Sequence, residues 1–291
     1  MAQIIDGRLL AQKIEEQIRQ EVGKMGIKPG LAIILVGNDP ASQIYVDSKE
    51  RACRRVGFYF EEILLPREIG QEKLIEIIKL LNENPNFHGI LVQLPLPGHI
   101  DEIRVLSAIN PKKDVDGFHF SNLGRILVTK RNTPDDALIP ATAKAILLLL
   151  ESTGVPIEGK KAVVLGRSNI VGKPVALLLL QKNATIEICH SKTQNIAAEC
   201  LSADILIAAI GKPLFVTKEM VKEGTIVIDV GINRIEDKFD PRGYHIVGDV
   251  DFENVKNKAS FITPVPGGVG PMTIVMLLEN TLRIVKNPDI V

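Results

Sequence analysis

The feature that most constrains this chain is an alternation of short β-rich apolar runs with amphipathic helical stretches. Residues 31–36 read as a buried strand without a polar face, and such a strand needs covering elements on both sides. Asn38-Asp39-Pro40 then opens a helix, with Asp39 placed to cap it and Pro40 at the first helical position, where no N–H is required. Gly57 stands where that helix should close. A strand at 58–65, a helix at 72–81 and a strand at 89–94 ending at Pro95 continue the series.

A second series follows the Pro/Asp-rich stretch 133–140. It runs as helix 143–151, strand 161–165, a glycine-bounded loop, helix 171–180, strand 185–189, helix 194–201, strand 204–210, helix 217–221 and strand 225–230. Strand–turn–helix units of this size build a mostly parallel, doubly wound sheet. The chain therefore reads as two α/β domains meeting near residue 140, with an amphipathic helix at 272–284 after a Gly/Pro-rich loop. A length of 291 residues suits two ordinary domains, and 45% apolar residues suffice for packed cores.

Charge narrows the partners. The 35 basic and 35 acidic side chains balance, which removes the electrostatic argument for nucleic acid or an anionic membrane. The longest apolar runs, near 145–150 and 175–180, fall well short of the roughly 20 residues of a membrane span. No cleavable leader is expected. Cys53, Cys189 and Cys200 show neither CxxC nor His/Cys spacing, which fits reduced thiols in the cytoplasm and no metal site.

Gly166-Arg167-Ser168-Asn169-Ile170-Val171-Gly172 lies between an expected strand and an expected helix, where backbone N–H groups and a helix N-terminus face a phosphate. The pattern departs from G-x-G-x-x-G, and a tight turn is its plain alternative. The next strand ends in Cys189-His190-Ser191-Lys192-Thr193, without the acid that binds the ribose hydroxyl of NAD. Hydroxyl and cationic groups there, with Arg167, suit the 2′-phosphate of NADP.

Tyr45 and Lys49 share a helix face with Ala52, Cys53 and Val56, while Ser48, Arg51 and Arg55 form a polar face. Spacing leaves two readings of Lys49. One is a desolvated amine, partly neutral and fit for proton transfer; the other is a lysine snorkelling from the stripe's edge. Gln93, at the carboxyl end of its strand, reads as a ligand-facing amide or as a satisfied core amide. Lys113-Asp114-Val115-Asp116-Gly117 offers two carboxylates, one of them easily absorbed by turn capping. The loop Thr263-Pro264-Val265-Pro266-Gly267-Gly268-Val269-Gly270-Pro271 is rigid and admits a ligand close to its backbone, unless it is a plain hinge.

The segments VGNDPASQIYVDSKERACRRVGF, GILVQLPLP, PKKDVDGF, GRSNIVGKP, CHSKT, DVGIN and TPVPGGVGPMT resemble, in order and spacing, the bifunctional methylenetetrahydrofolate dehydrogenase/methenyltetrahydrofolate cyclohydrolase family, over nearly the whole chain. The resemblance implies a catalytic lysine at Lys49, with Tyr45 orienting it and stacking on folate and Gln93 tuning it. It implies folate contacts from Asp116, Pro264, Gly267 and Gly268, and NADP contacts from Gly166, Arg167, Ser168, Ser191 and Ile232. It further implies an N-terminal catalytic domain (1–140 completed by 272–291), a Rossmann-like NADP domain (141–271), a cleft between them and a cytoplasmic homodimer. One departure is visible. The family usually reads P-C-T-P-x-G at the junction, where this chain has Pro140-Ala141-Thr142-Ala143-Lys144-Ala145. An NADP-dependent dehydrogenase of another small substrate, or a non-catalytic NADP sensor, would keep the dinucleotide features but leave Tyr45, Lys49, Gln93 and Asp116 without a reason.

Overall fold

The computed structural model describes residues 1–129, 137–238, 240 and 243–287; part of the stretch read as the domain junction, 133–136, lies outside them. The chain opens on a two-residue strand, β1 (Gln3–Ile4), and helix α1 (Gly7–Val22). β2 (Gly30–Val36), α2 (Pro40–Val56), β3 (Tyr59–Leu65), α3 (Gln71–Glu83) and β4 (Gly89–Val92) alternate as expected. Helices α4 (Glu102–Leu106), α5 (Phe120–Val128) and α6 (Ala141–Glu151) follow. The second alternation is β5 (Lys161–Leu165), α7 (Gly172–Gln181), β6 (Thr185–Cys189), α8 (Ile196–Ser202), β7 (Ile205–Ala208) and β8 (Ile226–Asp229). An antiparallel pair, β9 (Asn233–Glu236) and β10 (Tyr244–Val247), precedes the short helix α9 (Phe252–Val255), strand β11 (Phe261–Ile262) and helix α10 (Val269–Lys286). Among the described residues no helix is long and apolar enough to cross a membrane.

These elements form two compact units. One contains Gln12–Val128 with residues 137–141 and 274–287, around a parallel sheet in the order β3-β2-β4. All seven residues of the central β2 are buried. Ala32, Ile34 and Val36 share a cluster with Leu74, Ile78 and Leu81 of α3. Strand alternation sends Leu31 to the opposite side, and there a Cβ on Gly89 would meet Val115 at 2.4 Å and lie 3.1 Å from both Leu31 and Thr281 of α10. Thus α10, last in sequence, covers that side. Each fully buried Leu or Ile contributes about 1.5–3 kcal/mol.

The other unit contains Met1–Ala11 and Thr142–Thr273, around a parallel sheet in the order β1-β11-β8-β7-β5-β6. Numbered from β5, the order is 2-1-3-4-5, with β1 added at the far edge. In such a doubly wound sheet the order reverses between β5 and β7, and ligands bind outside the carboxyl ends of the strands at that point.

Three details differ from the sequence-based expectation. The resemblance implies one domain for residues 1–140, yet Gln3 and Ile4 pair with Phe261 and Ile262 in the second sheet. Two residues carry no periodicity, so only the long-range pairing identifies them as a strand. The stretch 217–221 is a single 3₁₀ turn, Lys218–Met220, in which Met220 N–H donates to the Thr217 carbonyl at 3.0 Å and Val221 N–H to the Lys218 carbonyl at 3.4 Å, the three-residue spacing of the tighter helix. The strand expected at 89–94 ends at Val92.

Candidate active site

Helix α2 carries the amine. The Asp39 carboxylate accepts from Ser42 N–H at 2.8 Å, Pro40 occupies the first turn, and Gly57, in the left-handed region at φ 85°, ends the helix. Phe58 N–H closes the motif on the Cys53 carbonyl at 2.9 Å. With both ends fixed, Lys49, Ala52, Cys53 and Val56 point inward, and Lys49 is only 8% exposed. Its Nζ donates to Gln93 Oε1 at 2.9 Å, so the snorkelling alternative fails. Gln93 lies just past β4, and its own Nε2 donates to the Leu94 carbonyl at 2.8 Å, which turns the amide oxygen toward the lysine. Burial lowers the Lys49 pKa, while Asp116 pulls it the other way. Burial pushes the neighbouring Cys53 thiol up to about 12, so no thiolate competes with the amine. Tyr45 sits one turn before Lys49 and is partly buried; among the described residues its hydroxyl makes no hydrogen bond to the lysine.

The two acids after the 3₁₀ turn Pro111–Lys113 divide their work. Asp114 is buried and accepts from His119 N–H at 2.7 Å and Asn122 Nδ2 at 3.0 Å, which makes it the turn residue. The Asp116 carboxylate accepts no hydrogen bond among the described residues. Burial pushes it up to about 6, against the pull of Lys49 and with Asp114 adding to the rise. An amine with a lowered pKa, electrostatically coupled to an unpartnered carboxylate with a raised one, is an arrangement suited to proton transfer and to ligand N–H recognition.

The dinucleotide features gather at the switch point of the second unit. Gly166 adopts φ 115°, and a Cβ there would lie 2.1 Å from the Ala209 carbonyl oxygen, in the loop after β7. A Cβ on Gly172 would lie 2.2 Å from the Gly166 carbonyl oxygen. The loop thus closes on itself and on β7 with space for hydrogen alone, and α7 starts at its far end. Gly166→Ala is expected to lower stability by about 1–3 kcal/mol through overpacking and to weaken dinucleotide binding. Thermal unfolding and cofactor titration check this; wild-type values for both would refute it.

Leu165 pairs with Cys189, so Arg167 and Ser191 follow neighbouring strand ends, both exposed. No acid stands at 189–193, and the nearest one on β6, Glu187, is held by Lys161 at 2.8 Å. Ser168 behaves differently: its hydroxyl accepts from Val171 N–H at 3.1 Å and Gly172 N–H at 3.3 Å, so it closes its own loop. Ile232 is 46% exposed for a large apolar side chain.

Sequence reasoning missed what holds Ile232. Asp229 and Asp249 are both buried. The Asp229 carboxylate accepts from the N–H groups of Gly231, Asp249 and Val250 at 2.9–3.0 Å. Asp249 accepts from Ile210 and Gly211 N–H at 2.7 and 2.9 Å and from Asn233 Nδ2 at 2.9 Å. The pair joins the loops after β7 and β8. The only sequence signal was two acids in glycine-bearing segments, DVGIN and GDVDF. Pro264, Gly267 and Gly268 belong to this second unit, apart from the unit of Lys49 and Asp116. Their loop is tight: Arg8 N–H donates to the Gly267 carbonyl at 3.1 Å, and a Cβ on Gly268 would meet the Pro264 carbonyl oxygen at 2.7 Å.

A glycine-closed loop at a switch point, with no acid at the end of the neighbouring strand, is the arrangement of NAD(P)-binding α/β proteins, and the other unit adds a buried amine that a nucleotide sensor has no use for. Comparison with known proteins then narrows the class. Residues 5–116 match the model of the tetrahydrofolate dehydrogenase/cyclohydrolase catalytic domain, and residues 140–289 that of its NAD(P)-binding domain. The bifunctional protein FolD of Moorella thermoacetica is 53% identical over 285 residues, covering 97% of this chain and 98% of that protein. The crystal structure of the bifunctional FolD enzyme from Campylobacter jejuni matches with a TM-score of 0.92 and 45% identity, over 99% of this chain and 100% of that one. The Trypanosoma brucei methylenetetrahydrofolate dehydrogenase-cyclohydrolase, solved with NADP and an inhibitor, gives a TM-score of 0.94 at 42% identity, over 99% of this chain and 98% of that one. The chain belongs to the tetrahydrofolate dehydrogenase/cyclohydrolase family.

Proposed function

We propose that this protein oxidises 5,10-methylenetetrahydrofolate to 5,10-methenyltetrahydrofolate with NADP, and then hydrolyses the product to 10-formyltetrahydrofolate. The observation that carries the reading is the buried Lys49 amine, hydrogen-bonded to Gln93 and coupled to Asp116, in a chain of this family. Bound NADP supplies the hydride acceptor for the methylene carbon between N5 and N10. Gly166, Arg167, Ser191 and Ile232 would hold the cofactor, with Ser168 shaping the loop. In the hydrolytic half, water adds to the methenyl carbon and its proton passes to the neutral Lys49 amine. Lys49 then returns that proton to N5 as the C–N5 bond breaks, and the added hydroxyl loses its remaining proton to solvent to become the formyl oxygen on N10. Gln93 orients the amine, Asp116 accepts N–H donors of the pterin ring, and Tyr45 stacks on it. The family resemblance assigns Pro264, Gly267 and Gly268 to the substrate as well.

The test is the absorbance of the purified protein with methylenetetrahydrofolate and NADP, following NADPH and the methenyl product together. NADPH formed in step with a transient methenyl species is the expected result; no NADPH would overturn the reading. A dehydrogenase of another substrate predicts binding of NADP without any effect of a folate analogue.

Arg167 and Ser191 should set cofactor choice. Arg167→Ala removes a charge-assisted contact worth about 1.5–3 kcal/mol, or roughly ten- to a hundredfold in affinity, and only NADP offers the 2′-phosphate. The loss in kcat/KM should therefore appear with NADP and be small with NAD, measured at one salt concentration because screening weakens the contact. Equal losses with both cofactors would assign Arg167 to the pyrophosphate or the loop.

A cytoplasmic homodimer accompanies this reading. The three cysteines are free and buried. The edge strand β6 leaves its backbone rim open and carries exposed Ile188, a surface that a second copy would cover.

A further inference from the structure

Asp116 raises a question of aim. Its carboxylate has no hydrogen-bond partner among the described residues, so its direction depends on the backbone that carries it. That backbone is held from two sides. Gly117 N–H donates to the Asp114 carbonyl at 3.0 Å, and the Asp116 carbonyl accepts from Ala141 N–H at 3.3 Å. Gly117, at φ 73°, lies so close to the facing segment that a Cβ would sit 2.6 Å from Pro140 N and 2.7 Å from the Ile139 carbonyl carbon.

The remaining clasp comes from α10. Asn280 is fully buried, and its Nδ2 donates to the Val115 carbonyl at 2.8 Å and to the Ile139 carbonyl at 2.9 Å. The Val115 carbonyl belongs to the same peptide plane as the Asp116 N–H. Holding that plane sets the direction in which the Asp116 side chain leaves the chain. Among the described residues the Asn280 oxygen is buried without a partner. A buried acceptor left unpaired is a net cost, so what the residue contributes to the fold is its two donors. No apolar residue supplies those donors, and a carboxylate would set oxygen against oxygen.

We propose that Asn280 is a positioning residue of the folate site, which aims Asp116 by tying the Val115 carbonyl to the Ile139 carbonyl. The proposal rests on the reading of Asp116 as the folate-binding acid. Asn280→Leu in the full chain keeps the branching at Cγ, with bulkier ends, and removes both donors; Asn280→Ser is smaller, keeps one and guards against a variant that fails to fold. Titration with a folate analogue should show affinity lowered about tenfold for Asn280→Leu and less for Asn280→Ser, with NADP affinity unchanged. The KM for methylenetetrahydrofolate should rise while kcat for hydrolysis stays close to wild type, since the Lys49–Gln93 pair is untouched.

A double-mutant cycle separates positioning from mere stability. On an Asp116→Asn background, Asn280→Leu should weaken folate binding by little more, because the group it aims is already gone. Losses that multiply in the double variant, or an equal loss of NADP affinity in the single one, overturn the role of Asn280 while leaving that of Asp116 standing. Unaltered folate affinity in Asp116→Asn alone overturns the reading of Asp116 itself, and with it this proposal.

Discussion

Lys49→Met is expected to slow hydrolysis of methenyltetrahydrofolate by about 10²- to 10⁴-fold, the usual worth of a positioned acid–base group. Methionine retains the length and apolar stem of lysine, so the packing against Ala52, Cys53 and Val56 survives. What disappears is the proton acceptor. The Gln93 oxygen loses its donor, at a cost of about 1–3 kcal/mol if it finds no other, so a modest drop in thermal stability is expected without unfolding. The decay of the methenyl absorbance measures the hydrolytic rate. Hydrolysis close to the wild-type rate in a folded variant would exclude Lys49 as the proton carrier. The pH profile adds a check of sign. Burial lowers the Lys49 pKa, and the neutral amine is the active form, so the rate should climb with pH through that lowered value and then level off.

Asp116→Asn should weaken folate binding by about ten- to a hundredfold, the loss of one charge-assisted hydrogen bond, and leave NADP binding unchanged. In the wild type the same loss should appear on acidification. Burial pushes the carboxyl up to about 6, so below that pH it is protonated and no longer a pure acceptor. Folate affinity should fall as pH drops through 6 in the wild type and stay flat in Asp116→Asn. Stability moves in the opposite direction. A carboxyl whose folded pKa is raised releases its proton more readily in the unfolded chain. Its burden on the fold therefore grows as pH rises from about 4 to 6 and is fully present above 6. The asparagine variant should accordingly melt no lower than wild type at neutral pH. Calorimetry and folate titration across pH 4–8 would show both trends; a lower melting point at neutral pH would mean that Asp116 is held by contacts an amide cannot make.

The residues of the two chemistries were unequally legible. Lys49 could be placed on the inner face of α2 from helical spacing, and Asp39 and Gly57 marked the ends of that helix before any fold was known. Whether the amine was buried could not be read, because that depends on Gln93, which lies 44 residues further on. The absence of an acid at 189–193 was visible directly, and the parallel register of β5 and β6 brought Arg167 and Ser191 to neighbouring strand ends. Ser168 looked like a ligand group by position, yet its hydroxyl closes its own turn, since a loop that leads into a helix must first satisfy its own N–H groups. The junction residues Pro140-Ala141-Thr142-Ala143-Lys144-Ala145, which depart from the family pattern, still begin a helix at Ala141, where small buried side chains suit close packing.

Local order is what the sequence by itself determined: where strands and helices lie, how α2 is capped, which loops carry glycine where no side chain fits. These follow from interactions among residues a few positions apart, and periodicity and capping report them directly. Tertiary structure alone decided the rest. It sent β1 to the second sheet, bonded Asp114 within its turn while leaving the Asp116 carboxylate without a hydrogen-bond partner among the described residues, joined Asp229 to Asp249, and brought Asn280 to a carbonyl 165 residues away. Each of these depends on desolvation and hydrogen bonding between distant segments, and a buried polar group acquires its partner only when the chain has closed around it.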